Sequence, residues 1–520
     1  MKGSKALQWC REHENLVKAF IMMWFPLLCG MMTCALEGRS ISEVYLPASE
    51  WNDELFYYKQ VEGILNYGFP QGYFGFNESH ALKLSFAAWS PVLVLPWIAW
   101  GLLFGWNLMS PIYCNIVLMM LGMFLFVMLV NPKGKQLLSL AVLMAAFTPM
   151  TRFMLSGMPE VICFFMVIVF LAVAINYSRV QKGWKLAVLF GMAVLMTLMR
   201  PYLLLFMILP GYYRIRCNKR RGIAETLLIV GITGGIYVWI NHYLSAEYLT
   251  PLFDVTWIKT FFTEGILEGV KFTLYKLWDT GKTVWGMMIQ AFISGYHAGT
   301  QFDGFVWLLL ILLYQSWKDF RKKDRTALEI HLFLVICFVG MFAAVLLMYK
   351  PIQGGRHLQT FIMVGIFILS IMETHLYRRI AFTGALFVYL YMVMATDRYE
   401  HQIPYADEKT HHTLASWEQV FQEELILETE SVPNYDNVLI WTLSDMVDGN
   451  AESLKWQELY AVPAGFGISC CEGEYIREHF EELQSKYLAV PKGGALDLKC
   501  REKMLREIGQ SEEVIVYELR

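Results

Sequence analysis

Charge is scarce in this sequence. Only 17% of its 520 residues are Asp, Glu, Lys or Arg, 56% are hydrophobic, and the mean hydropathy is +0.40. A soluble globular chain carries about 25% charge, so lipid must be one of the solvents here. A field of one sign is also missing: the formal net charge of -3 offers nucleic acid no basic surface. No GxxxxGK[ST] phosphate loop is present, which leaves ATP-driven transport unsupported. Metal-type CxxC, HxH and HxxxH spacings are lacking, and no obligatory metal is expected. No internal repeat and no inverted half-to-half symmetry of the kind many carriers show can be found. The first apolar run, 16–36, is followed by acidic sequence and not by a small-residue cleavage site, so it reads as a retained span. Of the ten cysteines only Cys470, Cys471 and Cys500 lie in the polar tail, and adjacent cysteines rarely bond each other, which leaves the redox compartment open.

What is present is a series of apolar stretches near 16–36, 108–130, 136–151, 158–177, 225–243, 303–317, 327–349, 357–376 and 379–396. Several are short for the roughly 30 Å of hydrocarbon a lone span must cross. Segment 185–213 is too long for one crossing and is interrupted by Arg200-Pro201, which predicts two short helices meeting at a turn. Segment 84–105, with Pro91, Pro96 and the tryptophans Trp89, Trp97, Trp100 and Trp106 in and beside it, suits an element lying along the outer interface. Counting it as a span would place Lys133/Lys135, Arg179/Lys182/Lys185 and the runs at 214–221 and 318–325 outside, against the positive-inside bias. The expected fold is therefore a polytopic α-helical membrane protein of about eleven spans, in the cell membrane, with its N-terminus cytoplasmic and its C-terminus outside. Residues 1–396 would form the membrane domain, with external loops 37–107 and 244–302 and a second interfacial helix at 256–279; residues 397–520 would form a small extracytoplasmic α/β domain. In that tail 437–441, 487–490 and 514–519 read as strands, and 413–428, 474–486 and 499–508 as helices.

Chemistry-bearing residues gather in the external segments. If a helix begins at Ser49 or Asn52, Asp53 and Tyr57 share one face and Glu54 and Tyr58 the adjoining one. Two carboxylates at a membrane surface beside aromatic rings suit general-base work; equally, acids in a first turn complement the helix dipole. Outward-facing cations are Arg152, Lys350, Arg356 and, at helix breaks or loops, Arg200 and Lys83. Arg356 beside His357 is the best phosphate grip among them, the alternative being an arginine that snorkels to headgroups. Lys350 has the same alternative. Arg200 would be costly unpaired in a membrane, and Glu160, after Pro159, is either its partner, a second acid of the site, or a helix-start acid. His80 and His297 are external histidines, most simply solvated.

Taken in order, Asp53-Glu54 with Tyr57-Tyr58, Trp89-Ser90-Pro91, Met158-Pro159-Glu160, Arg200-Pro201 and Gly355-Arg356-His357 resemble the GT-C class of membrane glycosyltransferases. Within that class the likeness is to the protein O-mannosyltransferase group and the aminoarabinose transferase that modifies lipid A, across the layout of residues 16–396. Trp-Ser-Pro and Arg-His stand where members often carry His-Pro-Pro or Lys-Pro and Arg-Tyr, so the substrate is left open. The resemblance implies an external active site, a polyprenyl-phosphate sugar as donor, and Asp53 or Glu54 as catalytic base, with an unknown glycan, lipid or protein as acceptor. Two other classes compete. A flippase of lipid-linked glycans predicts charges distributed along several spans, and an envelope glycan polymerase or ligase predicts a site of external arginines and histidines without a first-loop acid pair.

Overall fold

The computed structural model describes residues 12–49, 51–68, 74–78, 89–244, 254–294, 297–349, 351–371, 384, 402–406, 438–443, 454–463 and 466–520. The chain enters through α1 (Glu14–Met23) and α2 (Phe25–Leu36), which together make one apolar run. Next comes α3 (Asn52–Tyr67), closed by Gly68 at φ +80, a left-handed cap that glycine adopts without strain. The 3-10 turn Pro91–Val94 leads into α4 (Leu95–Phe104), and α5 (Ser110–Val130) returns against α1. Helices α6 (Gly134–Ala146) and α7 (Thr148–Met154) meet at 68°, because Pro149 in the first turn of α7 cannot donate to a continuing helix. Then follow α8 (Glu160–Arg179), α9 (Gly183–Met199), the 3-10 turn Pro201–Met207, α10 (Ile208–Cys217) and α11 (Lys219–Leu244). Helices α12 (Thr256–Thr263) and α13 (Ile266–Ser294) are separated at Gly265, φ +93, so the single helix expected over 256–279 is broken there. Helices α14 (His297–Lys322), α15 (Arg325–Met348) and α16 (Pro351–Ile371) complete the described helical layer.

Among the described residues five helical segments are long and apolar enough to cross a membrane, or six if the bent α6–α7 pair is one span. The expectation is eleven for the whole chain, and the described residues carry this smaller number. Segments 91–104, 183–199 and 355–371 are apolar but short, and the stretch at 379–396 lies outside the described residues.

A six-stranded sheet, in the order β1-β3-β2-β4-β6-β5, is built from β1 (Phe74–Phe76), β2 (Val438–Leu443), β3 (Gly467–Glu472), β4 (Tyr487–Pro491), β5 (Arg506–Gln510) and β6 (Val514–Glu518). The first four strands run parallel, and β6 pairs antiparallel with β4 and β5. Strand alternation sorts its residues between two cores. Leu439, Trp441, Val514 and Val516 join the core shared with the membrane helices, whereas Ile440, Ile515 and Tyr517 pack with Cys471 and Cys500 in a second, smaller one. The helices expected at 474–486 and 499–508 are shorter, Gly473–Glu478 and Ala495–Glu502, and the end of the latter stretch is strand β5 instead. Strand β3 carries no clean alternation, since both of its faces are covered, and the sequence reading passes over it. The helix expected at 413–428 lies outside the described residues.

Candidate active site

Four helix ends converge on one small volume. Asp53 and Glu54 occupy the first turn of α3, where carboxylates complement the N-terminal dipole. Glu160 opens α8 directly after Pro159. Arg200 follows α9 in extended conformation, φ -147 and ψ 117, because Pro201 excludes the helical region for the residue before it. Arg356 and His357 lie in the second turn of α16. As neighbours on a helix they project about 100° apart, so each serves a different side of the cluster.

Arg356 Nη1 donates to Asp53 Oδ2 at 3.1 Å, and its guanidinium lies over the Trp51 ring at 5.6 Å. Its Nε is 3.8 Å from Glu160 Oε1. The same Glu160 oxygen accepts from Arg200 Nη2 at 2.7 Å. Glu160 thus stands between two guanidiniums, and the four charges balance. Depth separates the two pairs: Asp53 and Arg356 side chains are 37% and 19% exposed, Glu160 and Arg200 only 1% each. Arg200 Nη1 also donates to Tyr202 Oη at 3.1 Å and to His357 Nδ1 at 3.3 Å. A guanidinium can only donate, so Nδ1 of His357 acts as acceptor and carries no proton in this arrangement. Trp89 covers the Arg200 guanidinium at 5.1 Å and meets the His357 ring edge-on at 5.2 Å. Behind Tyr202, a cavity of about 440 Å³ runs between Leu205, Ile208, Val230, Gly340 and Ala344, lined almost wholly by apolar side chains.

Neither a family model nor a curated protein matches the chain. Among solved structures it is similar to the oligosaccharyltransferase of Archaeoglobus fulgidus in its apo form, at 12% identity and a TM-score of 0.49, over 97% of this chain and 75% of that one. It is also similar to ArnT from Cupriavidus metallidurans bound to undecaprenyl phosphate, at 10% identity and a TM-score of 0.49, over 96% of this chain and 97% of that one.

Glu54, Tyr58 and Arg152 fall elsewhere, while Tyr57 lies beside the cluster. Glu54 turns away from solvent: it is fully buried, and its Oε2 accepts the Gly157 N–H at 3.0 Å, in a spot so close that a Cβ on Gly157 would lie 3.1 Å from that of Glu54. Tyr57 is buried edge-on to Trp97 at 6.5 Å. Burial first, then the neighbouring Asp53 charge, push its phenol well above the ordinary range, so it stays a neutral hydroxyl. Tyr58 packs between Trp106 at 5.4 Å and Tyr460 at 5.3 Å. Arg152 pairs with Glu37 at 2.9 Å. Lys350, Lys83 and His80 lie outside the described residues, as does the side chain of His297. Among the described residues no group of three His, Cys, Asp or Glu side chains could hold a metal ion. Tyr202 and Tyr349, which flanks His357 at 5.2 Å, were not singled out from sequence. Tyr202 carried a signal all the same, its place next to Arg200-Pro201.

Proposed function

We propose that the protein is a membrane glycosyltransferase that moves a sugar from a polyprenyl-phosphate donor to an extracytoplasmic acceptor, with Asp53 as general base. The observation that carries this reading is the solvent-reachable Asp53 carboxylate set 3.1 Å from a guanidinium that is itself backed by the buried Glu160–Arg200 pair. A nucleophile-activating base and a phosphate-holding cation thereby stand side by side.

In the proposed step the acceptor hydroxyl oxygen attacks the anomeric carbon of the donor sugar. The bond from that carbon to the phosphate oxygen breaks, the electron pair leaves with the lipid phosphate, and Asp53 takes the hydroxyl proton. Arg356 turns from Asp53 to the phosphate and stabilises its growing charge; the same turn frees the carboxylate for the acceptor. Glu160 holds both guanidiniums in place, and Arg200, fixed by Tyr202 and His357, supplies a second positive charge in a site shielded from water. The apolar cavity behind Tyr202 supports a lipid chain as part of the donor. Glu54, committed to the Gly157 amide, fixes the start of α3, which favours Asp53 over Glu54 as the base.

The test is sugar transfer in proteoliposomes from a panel of polyprenyl-phosphate sugars, comparing wild type with Asp53→Asn and Glu54→Gln. Asp53→Asn should lose on the order of 10²–10⁴ in kcat, whereas Glu54→Gln, which can still accept from the amide, should lose about tenfold or less. Full turnover by Asp53→Asn would remove the acid–base assignment. A wild type that moves intact lipid-linked glycans across the bilayer without transferring sugar would replace the enzyme by a flippase.

A further inference from the structure

Six residues beyond Asp53, on the same helix, a lysine is buried. Lys59 is 2% exposed, and its ammonium donates to the Val462 carbonyl at 2.5 Å, to the Tyr460 carbonyl at 3.5 Å and to Glu62 at 2.8 Å. The two carbonyls belong to the turn around Trp456–Ala461, between strands β2 and β3. Burying an ammonium is expensive, and this one is compensated by filling all three of its donor positions, two of them with main chain from the other end of the sequence. Around it Leu459 and Val462 pack into the same core as Leu55, Tyr58 and Val61 of α3.

The chain leaving α3 is fastened a second time. Strand β1 pairs with β3 through Phe74, Gly75 and Phe76. Just after it the Glu78 carboxylate accepts the backbone N–H groups of Gln484 and Ser485 and the Ser485 hydroxyl. The first loop is therefore held by the sheet at two points, one of them under two helical turns from Asp53, or roughly 9 Å along the axis.

We infer that the sheet acts as a positioning clamp on α3, and that Lys59 is a positioning residue which sets the depth and rotation at which Asp53 meets Arg356. This rests on the proposed transferase reading for its catalytic consequence, but not for its structural one. Holding a base to a fraction of an ångström is what such a clamp contributes to rate, since a displacement of about 1 Å can cost on the order of 100-fold.

The experiment uses the full-length protein in proteoliposomes, with Lys59→Met, Lys59→Arg and Glu62→Gln. Amide hydrogen exchange over residues 52–67 is read beside kcat and donor KM. Lys59→Met should speed exchange in α3 and lower kcat by about 10- to 100-fold with KM within about twofold, and Lys59→Arg should restore both measures. Glu62→Gln, which leaves the two carbonyl bonds in place, should move both the same way by less; if Lys59→Met fails to fold, Lys59→Gln, whose shorter amide keeps a donor toward Glu62 but cannot hold both carbonyls, decides the matter. Wild-type exchange in Lys59→Met, or in Lys59→Gln where that variant stands in for it, overturns the clamp. So does a loss of rate that only tracks the loss of folded protein. If the wild type transfers no sugar, the enzyme reading falls while the exchange data still decide whether the sheet holds α3.

Discussion

Asp53 and Arg356 are 303 residues apart in sequence and 3.1 Å apart in space. One opens a helix after the first apolar run, and the other lies in the second turn of α16, so neither is placed by its own segment alone. Their pairing leaves both side chains partly open to solvent, while the Glu160–Arg200 pair behind them is closed off.

Arg356→Lys should be far from conservative. A guanidinium spans Asp53 and Glu160 at once through Nη1 and Nε, which a point charge on a flexible stem cannot reproduce. Expected values are a fall in kcat/KM of about 10-fold for Arg356→Lys and about 10²–10³ for Arg356→Ala. Initial rates at varied donor concentration check this, and an alanine variant with wild-type kcat/KM would take Arg356 out of the site.

Breaking the inner pair should damage the fold and not only the rate. Arg200→Met takes away the 2.7 Å partner of the buried Glu160 carboxylate and leaves it the more distant Arg356, 3.8 Å away; breaking a buried pair by removing one partner costs at most about 3–5 kcal/mol. The double variant Glu160→Leu with Arg200→Met should regain a good part of that stability while remaining inactive. Thermal unfolding of the purified variants gives the answer; equal losses in single and double variants would show that the pair contributes nothing beyond packing.

Below about pH 4 the sheet should weaken through Asp497. Burial favours its neutral form, but this is outweighed by the bonds from Arg501, the Tyr517 hydroxyl and the Gly493 amide, which together hold the carboxyl below its ordinary range. A depressed folded value means stability that is present above the unfolded carboxyl range, near 3.9, and is lost as pH falls through the folded one. Asp497→Ala, leaving the Tyr517 and Gly493 donors without their acceptor, should cost about 1–3 kcal/mol at pH 7 and show a smaller loss between pH 5 and pH 2 than wild type. Parallel pH dependence in the two proteins would assign acid sensitivity to other groups.

Much of the candidate site was legible because its pieces are local. Asp53, Arg200, Arg356 and their neighbours announce themselves through helix starts, a proline break and the rarity of charge in an apolar chain. Arg152, a phosphate candidate by its neighbours in sequence, is paired with Glu37, which lies more than a hundred residues earlier and which no local pattern points to. Glu54 and Asp53 were indistinguishable by spacing, and only Gly157, too small to keep Glu54 at a distance, sets them apart.

Hydropathy and helix-end chemistry depend on neighbours within a turn or two, so lipid as a solvent, the places of the apolar stretches and the few charged residues at their ends can all be read from residue order. That Glu160 bridges two arginines, that β1 of the first loop becomes a strand of the C-terminal sheet, and that Lys59 is buried against Val462 emerges only in the folded chain. Those are long-range pairings. They arise because a buried charge or a strand edge must find a partner wherever the packed chain supplies one, and no local pattern records which residue that will be.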